Sequence, residues 1–149
     1  MKKYNSYKES LIQWVGAIPD HWKVARLKNI GYLYGGLSGK SGSDFNNEEN
    51  SNNKNFITFT NVCNNFYIKG NAFAQVSINE SEDQNIVEKG DLLFLMSSEN
   101  QEEVGKSAAL IEDFGELYLN SFCRGFRITV PDIGTSFLNY LLHSNELNQ

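Results

Sequence analysis

The sequence predicts an α+β fold that is mostly β: a single domain on a twisted, largely antiparallel sheet, with long loops and a C-terminal helix. Three observations carry this. Leu92–Met96 is a run of five apolar residues between the turn signal Glu88–Lys89–Gly90–Asp91 and the polar stretch Ser97–Glu103. Its length and bounds fit a strand buried on both faces. Leu117–Val130 is the longest β-type pattern in the chain. Beyond Pro131, the residues Phe137, Leu138, Leu141, Leu142 and Leu147 recur at the spacing of an amphipathic helix.

The N-terminal residues 1–22 read as an irregular arm packed on the domain. Gly16 and Pro19 break any helix there, and Trp14, Val15, Ile18 and Trp22 are candidate anchors. The body of the domain spans 23–134. Residues 22–27 and 32–34 are candidate strands, separated by a turn at Lys28–Gly31. A loop rich in Gly, Ser and Asn follows over 35–55. Lys40 among Ser38, Gly39, Ser41, Gly42 and Ser43 gives it the makings of a phosphate cradle built on backbone N–H groups. The G-x-x-x-x-G-K-[ST] pattern is absent, so it is not a P-loop, and a flexible connector is the competing reading.

Phe56–Val62 has the aromatic and β-branched content of a strand. Tyr67–Gly70 and Ala74–Ile78 are weaker strands, Ala108–Ile111 is another, and Asp113–Glu116 reads as a hairpin turn. Within 117–130, Gly125 signals a bulge or a close backbone approach. Asn120, Ser121, Arg124 and Arg127 are polar residues in an apolar strand and must be paired if buried. Structural pairing and ligand contact explain them equally well. Thr135 or Ser136 would cap the final helix.

A chain of 149 residues with 40% apolar content is large and apolar enough to bury a core. No run approaches the ~18 apolar residues of a membrane span. No apolar segment follows the basic N-terminus, so no secretory signal is expected and a cytoplasmic protein is the expectation. Cys63 and Cys123 are isolated and read as buried thiols. The net charge is −5, unevenly distributed: residues 1–79 carry a net +4, 80–116 a net −9, and 117–149 balance. An acidic total argues against a nucleic-acid binder, because phosphate neutralisation supplies most non-specific affinity. A basic face opposite an acidic one would soften that objection.

Catalysis would need a paired constellation. Neither His21 nor His143 supports a Cys123 nucleophile, and Glu99, Glu102 and Glu103 lie in a solvated acidic run. No metal cluster or nucleotide site is legible. A recognition domain needs only Asn, Gln, Ser, Lys and Arg on loops held by a stiff β frame. Asn and Gln pair with adenine, and Arg with guanine, in the major groove. A carbohydrate- or protein-binding β module would use the same residue types and is the alternative.

The segment Trp14–Val15–Gly16–Ala17–Ile18–Pro19–Asp20–His21–Trp22 follows the pattern W-x-G-x-I-P-x-x-W. Together with Phe56–Val62, Gly90–Glu99 running on to Glu103–Lys106, and Leu119–Arg127, it resembles the specificity subunit of type I restriction–modification systems. The resemblance spans nearly the whole chain. Leu11 stands where that family more often has glycine. What it implies is one target recognition domain reading double-stranded DNA, without a catalytic site or cofactor of its own. Methyltransferase subunits using S-adenosylmethionine, and restriction subunits using ATP and Mg, would be its partners. A second half-subunit would complete a split target. Residues 135–149 would then begin the spacer helix, and the chain would be truncated there. The expected DNA-contacting loops are 38–54, 61–66 and 97–106. Lys40, Lys54, Lys106, Arg124 and Arg127 are the candidates for phosphate or guanine. Asn61, Asn64, Ser97, Ser98 and Asn120 are the candidates for base edges.

Overall fold

The computed structural model describes residues 3–45 and 48–144, so Asn46, Asn47 and the expected helical residue Leu147 lie outside the described residues. The chain divides into two compact units, 1–30 and 31–149, a boundary after Ile30 rather than after Trp22.

The first unit is not an irregular arm. Strands β1 (Tyr7–Glu9) and β2 (Ala17–Pro19) pair antiparallel. The Ser10 N–H donates to the Gly16 carbonyl and closes the connecting loop. Leu11 sits in that loop at φ 63°, a left-handed conformation that glycine adopts freely and leucine adopts at a cost of roughly 1–2 kcal/mol. That is a physical reason for glycine at such a position. The expected anchors behave unequally: Ile18 is buried, whereas Trp14 is 72% exposed and Trp22 39%. Residues 22–26 are not a strand; they run irregularly into a 3-10 helix at Leu27–Asn29.

Among its described residues the second unit is mostly β, with two sheets, two α-helices and a 3-10 helix at Gly42–Phe45. One sheet has four strands: β3 (Gly31–Gly35), β9 (Cys123–Ile128), β6 (Leu92–Leu95) and β7 (Ser107–Ala109), in that order and antiparallel throughout. The other has β5 (Ala74–Ser77), β4 (Asn53–Ile57) and β8 (Tyr118–Leu119), with β4 and β8 parallel. The expected strand 67–70 survives only as a single bridge from Tyr67 to Ala109. Strand β6 is interior, and Leu92, Leu93 and Leu95 are fully buried, but it ends one residue short of the expected Leu92–Met96 run: Phe94 is half-buried and Met96 is exposed. Alternation along β4 and β8 sends Ile57 and Leu119 into the main core with Leu93, Leu95, Val62 and Leu110. Phe56 and Tyr118 point the other way, into a second cluster with Leu37, Val76 and Ile78.

Two strand expectations are corrected. Phe56–Val62 is not one strand. β4 ends at Ile57, and helix α1 (Phe59–Asn64) begins behind a capping box. Thr58 Oγ1 accepts the Asn61 N–H, and Asn61 Oδ1 accepts the Thr58 N–H at 2.8 Å. These local bonds satisfy orphan donors of the first turn and overrule β propensity. Leu117–Val130 is also broken. Asn120 Oδ1 accepts the Phe122 N–H, turning the chain from β8 in one sheet to β9 in the other. For the same reason Asp113–Glu116 is a turn between sheets and not a hairpin. Gly125 is in regular register opposite Tyr34, and a Cβ there would meet the Tyr34 ring. The close approach at Gly125 is therefore to a side chain, without a bulge.

Helix α2 (Thr135–Ser144) starts as expected, but its cap differs. The Thr135 hydroxyl donates to the Gly90 carbonyl at 2.6 Å instead of capping. Its buried face holds Leu138 and Asn139, while Phe137 and Leu141 are exposed. Asn139 accepts from Ser107 Oγ at 2.7 Å and donates to the Phe66 carbonyl. His143 Nε2 lies 2.9 Å from the Ser107 carbonyl. Polar contacts thus dock this helix on β7 beside Leu138.

The buried Asp91 carboxylate, at the entrance to β6, joins three strands. Arg127 from β9 donates to it through Nε and Nη2 at 3.0 and 2.8 Å. The Tyr34 hydroxyl from β3 and the Glu88 N–H also donate to it. The guanidinium lies over the Tyr34 ring, 4.9 Å from its centroid. Removing one charge of such a pair costs about 3–5 kcal/mol. Asp91→Asn is therefore expected to lower the unfolding free energy by about that amount, measured by chemical denaturation. Thr58→Ala, which removes only a cap, is expected to cost about 1 kcal/mol by the same measurement.

Candidate nucleic-acid interface

Strand β6 ends in the core and hands the chain to a polar loop over 96–106. The loop is ordered by its own side chains. Ser98 Oγ donates to Glu103 Oε2 at 2.6 Å and accepts the Asn100 N–H, while Asn100 Oδ1 accepts the Glu102 N–H. Gly105, at φ 90°, returns the chain to β7, and its N–H donates to the Leu95 carbonyl. The loop is thus a stiff projection from an interior strand, the usual arrangement for binding residues.

Beside it lies an open cavity of about 710 Å³, lined by Phe59, Ser97, Ser98, Glu99, Asn100, Glu103, Asn120 and Phe122. Three elements meet here: the start of α1, the 96–106 loop and the Asn120 turn. The Phe122 ring is 57% exposed. Of the residues expected from sequence, Ser97, Ser98 and Asn120 share this cavity. Ser97 is exposed and its hydroxyl has no hydrogen-bond partner among the described residues. Ser98 and Asn120 each already serve a turn, which holds their remaining bonding capacity in place. Lys106 flanks the cavity through its N–H bond to the Glu103 carbonyl, and its Nζ lies 3.9 Å from Cys63 Sγ. Arg124 is exposed at the start of β9, paired across the sheet with Gly35 on one side and Phe94 on the other. Asn64 is exposed on the last turn of α1.

The other expected contacts have structural work. Asn61 is buried in the α1 cap. Arg127 is held by Asp91, by Glu88 at 3.3 Å and by the Ile86 carbonyl. Lys54 pairs with Glu116 at 3.1 Å. Lys40 pairs with Glu82 at 2.6 Å, and its side chain is only 5% exposed. Among the described residues of the 35–55 loop, a 3-10 helix occupies Gly42–Phe45 and β4 begins at Asn53, and groups expected to cradle a phosphate have partners within the fold. The Ser38 N–H donates to Gln84 Oε1, and the Ser41 N–H donates to Asp44 Oδ2. Its lysine and two of its N–H groups are already taken by acceptors within the fold.

Sequence reasoning missed Phe59 and Phe122 by placing both in strands. The signals were local: Thr58 three residues before Asn61, and the turn-forming pair Asn120–Ser121. Burial pushes the Cys123 thiol up to about 12 and also raises Cys63. Cys123 is buried, as expected, whereas Cys63 is only half-buried. Among the described residues no cluster of His, Cys, Asp or Glu is placed to hold a metal ion. No helix among them is long and apolar enough to cross a membrane. No protein-family model and no curated protein matches the chain.

The Lys40–Glu82 pair yields a pH prediction. The Glu82 carboxyl is held down to about 2 from an ordinary 4.5, first by the Lys40 hydrogen bond and then by the Asn79 N–H. A depressed carboxyl stabilises the fold above its unfolded value and loses that contribution as it protonates. The contribution is complete above about pH 4.5 and disappears as pH falls towards about 2. Glu82→Gln should flatten the acid limb of the melting temperature in that window while changing the shape of the profile little at neutral pH.

Proposed function

We propose that this chain is a target recognition domain of the type I restriction–modification specificity kind. It reads one half of a split site in double-stranded DNA for partner methyltransferase and restriction subunits that perform the chemistry. The bound cofactors, S-adenosylmethionine and ATP with Mg, belong to those partners. The observation that carries the reading is the meeting of Ser97, Ser98 and Asn120 at one cavity, with Lys106 and Arg124 close by in the chain. The sequence pattern W-x-G-x-I-P-x-x-W and the three downstream segments support it independently. Neutral hydroxyls and amides suit base edges, while cations fix the register on phosphates.

A second reading has one specific observation in its favour. Phe59 and Phe122 stand beside Glu99, Asn100 and Glu103, an aromatic and acidic lining that also suits a sugar. Selection from a randomised duplex pool at low salt separates the two. The DNA reading expects a short enriched motif, weakened several-fold by Lys106→Ala or Arg124→Ala. Ser97→Ala should relax preference at one position, since a good base contact carries about 1–3 kcal/mol of discrimination. No enrichment, together with sugar-dependent shifts in melting temperature, would establish the carbohydrate reading instead.

A further inference from the structure

The charge of this protein is partitioned by unit. Residues 1–30 carry six Lys and Arg against two Asp and Glu, a net of +4. Residues 31–149 carry seven against sixteen, a net of −9. A duplex approaching the larger unit meets a repulsive field, and most of that unit's cations cannot offset it. Lys40, Lys54 and Arg127 are tied to carboxylates. Lys106 is half-buried, leaving Lys69, Lys89 and Arg124 exposed among sixteen acids.

The small unit is the reverse. Lys3, Lys8, Lys23, Arg26 and Lys28 are all exposed, and none forms an ion pair among the described residues. Glu9 and Asp20 lie in the same unit without pairing with them. Three of the cations fall within six residues, on the irregular stretch leading into the 3-10 helix and on that helix itself. Trp22, beside Lys23, is also exposed.

We propose that the N-terminal unit is the phosphate grip of this protein, and that Lys23, Arg26 and Lys28 form its centre. The proposal rests on the DNA reading above and assigns most of the sequence-independent share of binding to a region outside the cavity, beyond what Lys106 and Arg124 supply. Long, unpaired, solvated side chains suit this role. They neutralise a polyanion without demanding a fixed geometry, and each phosphate neutralised releases condensed counterions. The division also explains how an acidic chain can hold DNA: one unit supplies attraction, and the other supplies selection. An acidic protein surface would satisfy the same cations and is the outcome the test must distinguish.

The test compares the full chain with Lys23→Gln/Arg26→Gln/Lys28→Gln, and with a control, Lys69→Gln/Lys89→Gln. Duplex affinity is measured from low to moderate salt for the selected motif and for an unrelated duplex. The triple variant should lower the slope of log K against log salt by about 2–3, as expected at ~0.9 per phosphate. It should weaken both duplexes by the same factor and leave the enriched motif unchanged. The control should leave the slope within about 0.5 of the parent. Arg26→Gln alone should lower it by about 1. A triple variant with the parent's slope, while the parent still selects a motif, overturns this proposal and leaves the DNA reading standing; the basic surface would then serve a protein. Equal loss in triple variant and control reduces the effect to net charge and overturns it as well. A parent chain that binds no duplex overturns both.

Discussion

The rest of the larger unit depends on the burial of one carboxylate. Asp91 lies at the entrance of the strand that forms the middle of the core, where an unpaired charge would be untenable. Arg127, the Tyr34 hydroxyl and the Glu88 N–H supply its donors, and they come from the neighbouring strand β9, from β3 beyond it and from the turn before β6. The hydrogen bonds to Asp91 hold the guanidinium firmly in its charged form, and burial beside the same carboxylate raises the Tyr34 hydroxyl far above its ordinary range. The charges are thus complementary and nearly saturated with partners. The absence of a side chain at Gly125 completes the arrangement, because only there can the Tyr34 ring cross the sheet towards Asp91.

That constraint sets where the working surface lies. One end of β6 is bound by charge and hydrogen bonds; the other opens into the 96–106 loop. The strand is pinned at its entrance, and Leu92, Leu93 and Leu95 are fully buried, so the loop is rooted in the core. The loop's Asn and Ser side chains tie down their own backbone, so Ser97 is displayed from a stiff support. The same economy of partners withdraws Lys40, Lys54 and Arg127 from the surface. Cations that look available in a sequence are, in an acidic unit, the ones its carboxylates claim first.

Helix α2 shows the same competition between patterns. Its apolar residues occupy more than one face. The docked side was settled by Asn139 and His143, one turn apart, both reaching Ser107. A buried amide with both ends satisfied fixes rotation about the helix axis more sharply than leucines can, because its bonds are directional. Phe137, Tyr140 and Leu141 consequently face outward.

The sequence by itself determined the class of fold, the interior strand at 92–95, the loop after it and the terminal helix. These are local matters: an apolar run too short for a helix, the polar run that follows it, and a proline followed by helical spacing. It also named Ser97, Ser98 and Asn120, which do meet at one cavity. Only the tertiary structure decided the rest. β propensity could not reveal that Thr58 and Asn61 would close a cap, or that Asn120 would turn one long strand into two belonging to different sheets. Nor could composition tell Arg124, exposed, from Arg127, buried against a carboxylate thirty-six residues away in sequence. Partner choice over such separations is set by packing. Packing therefore decided which polar residues hold the fold and which remain open to a ligand.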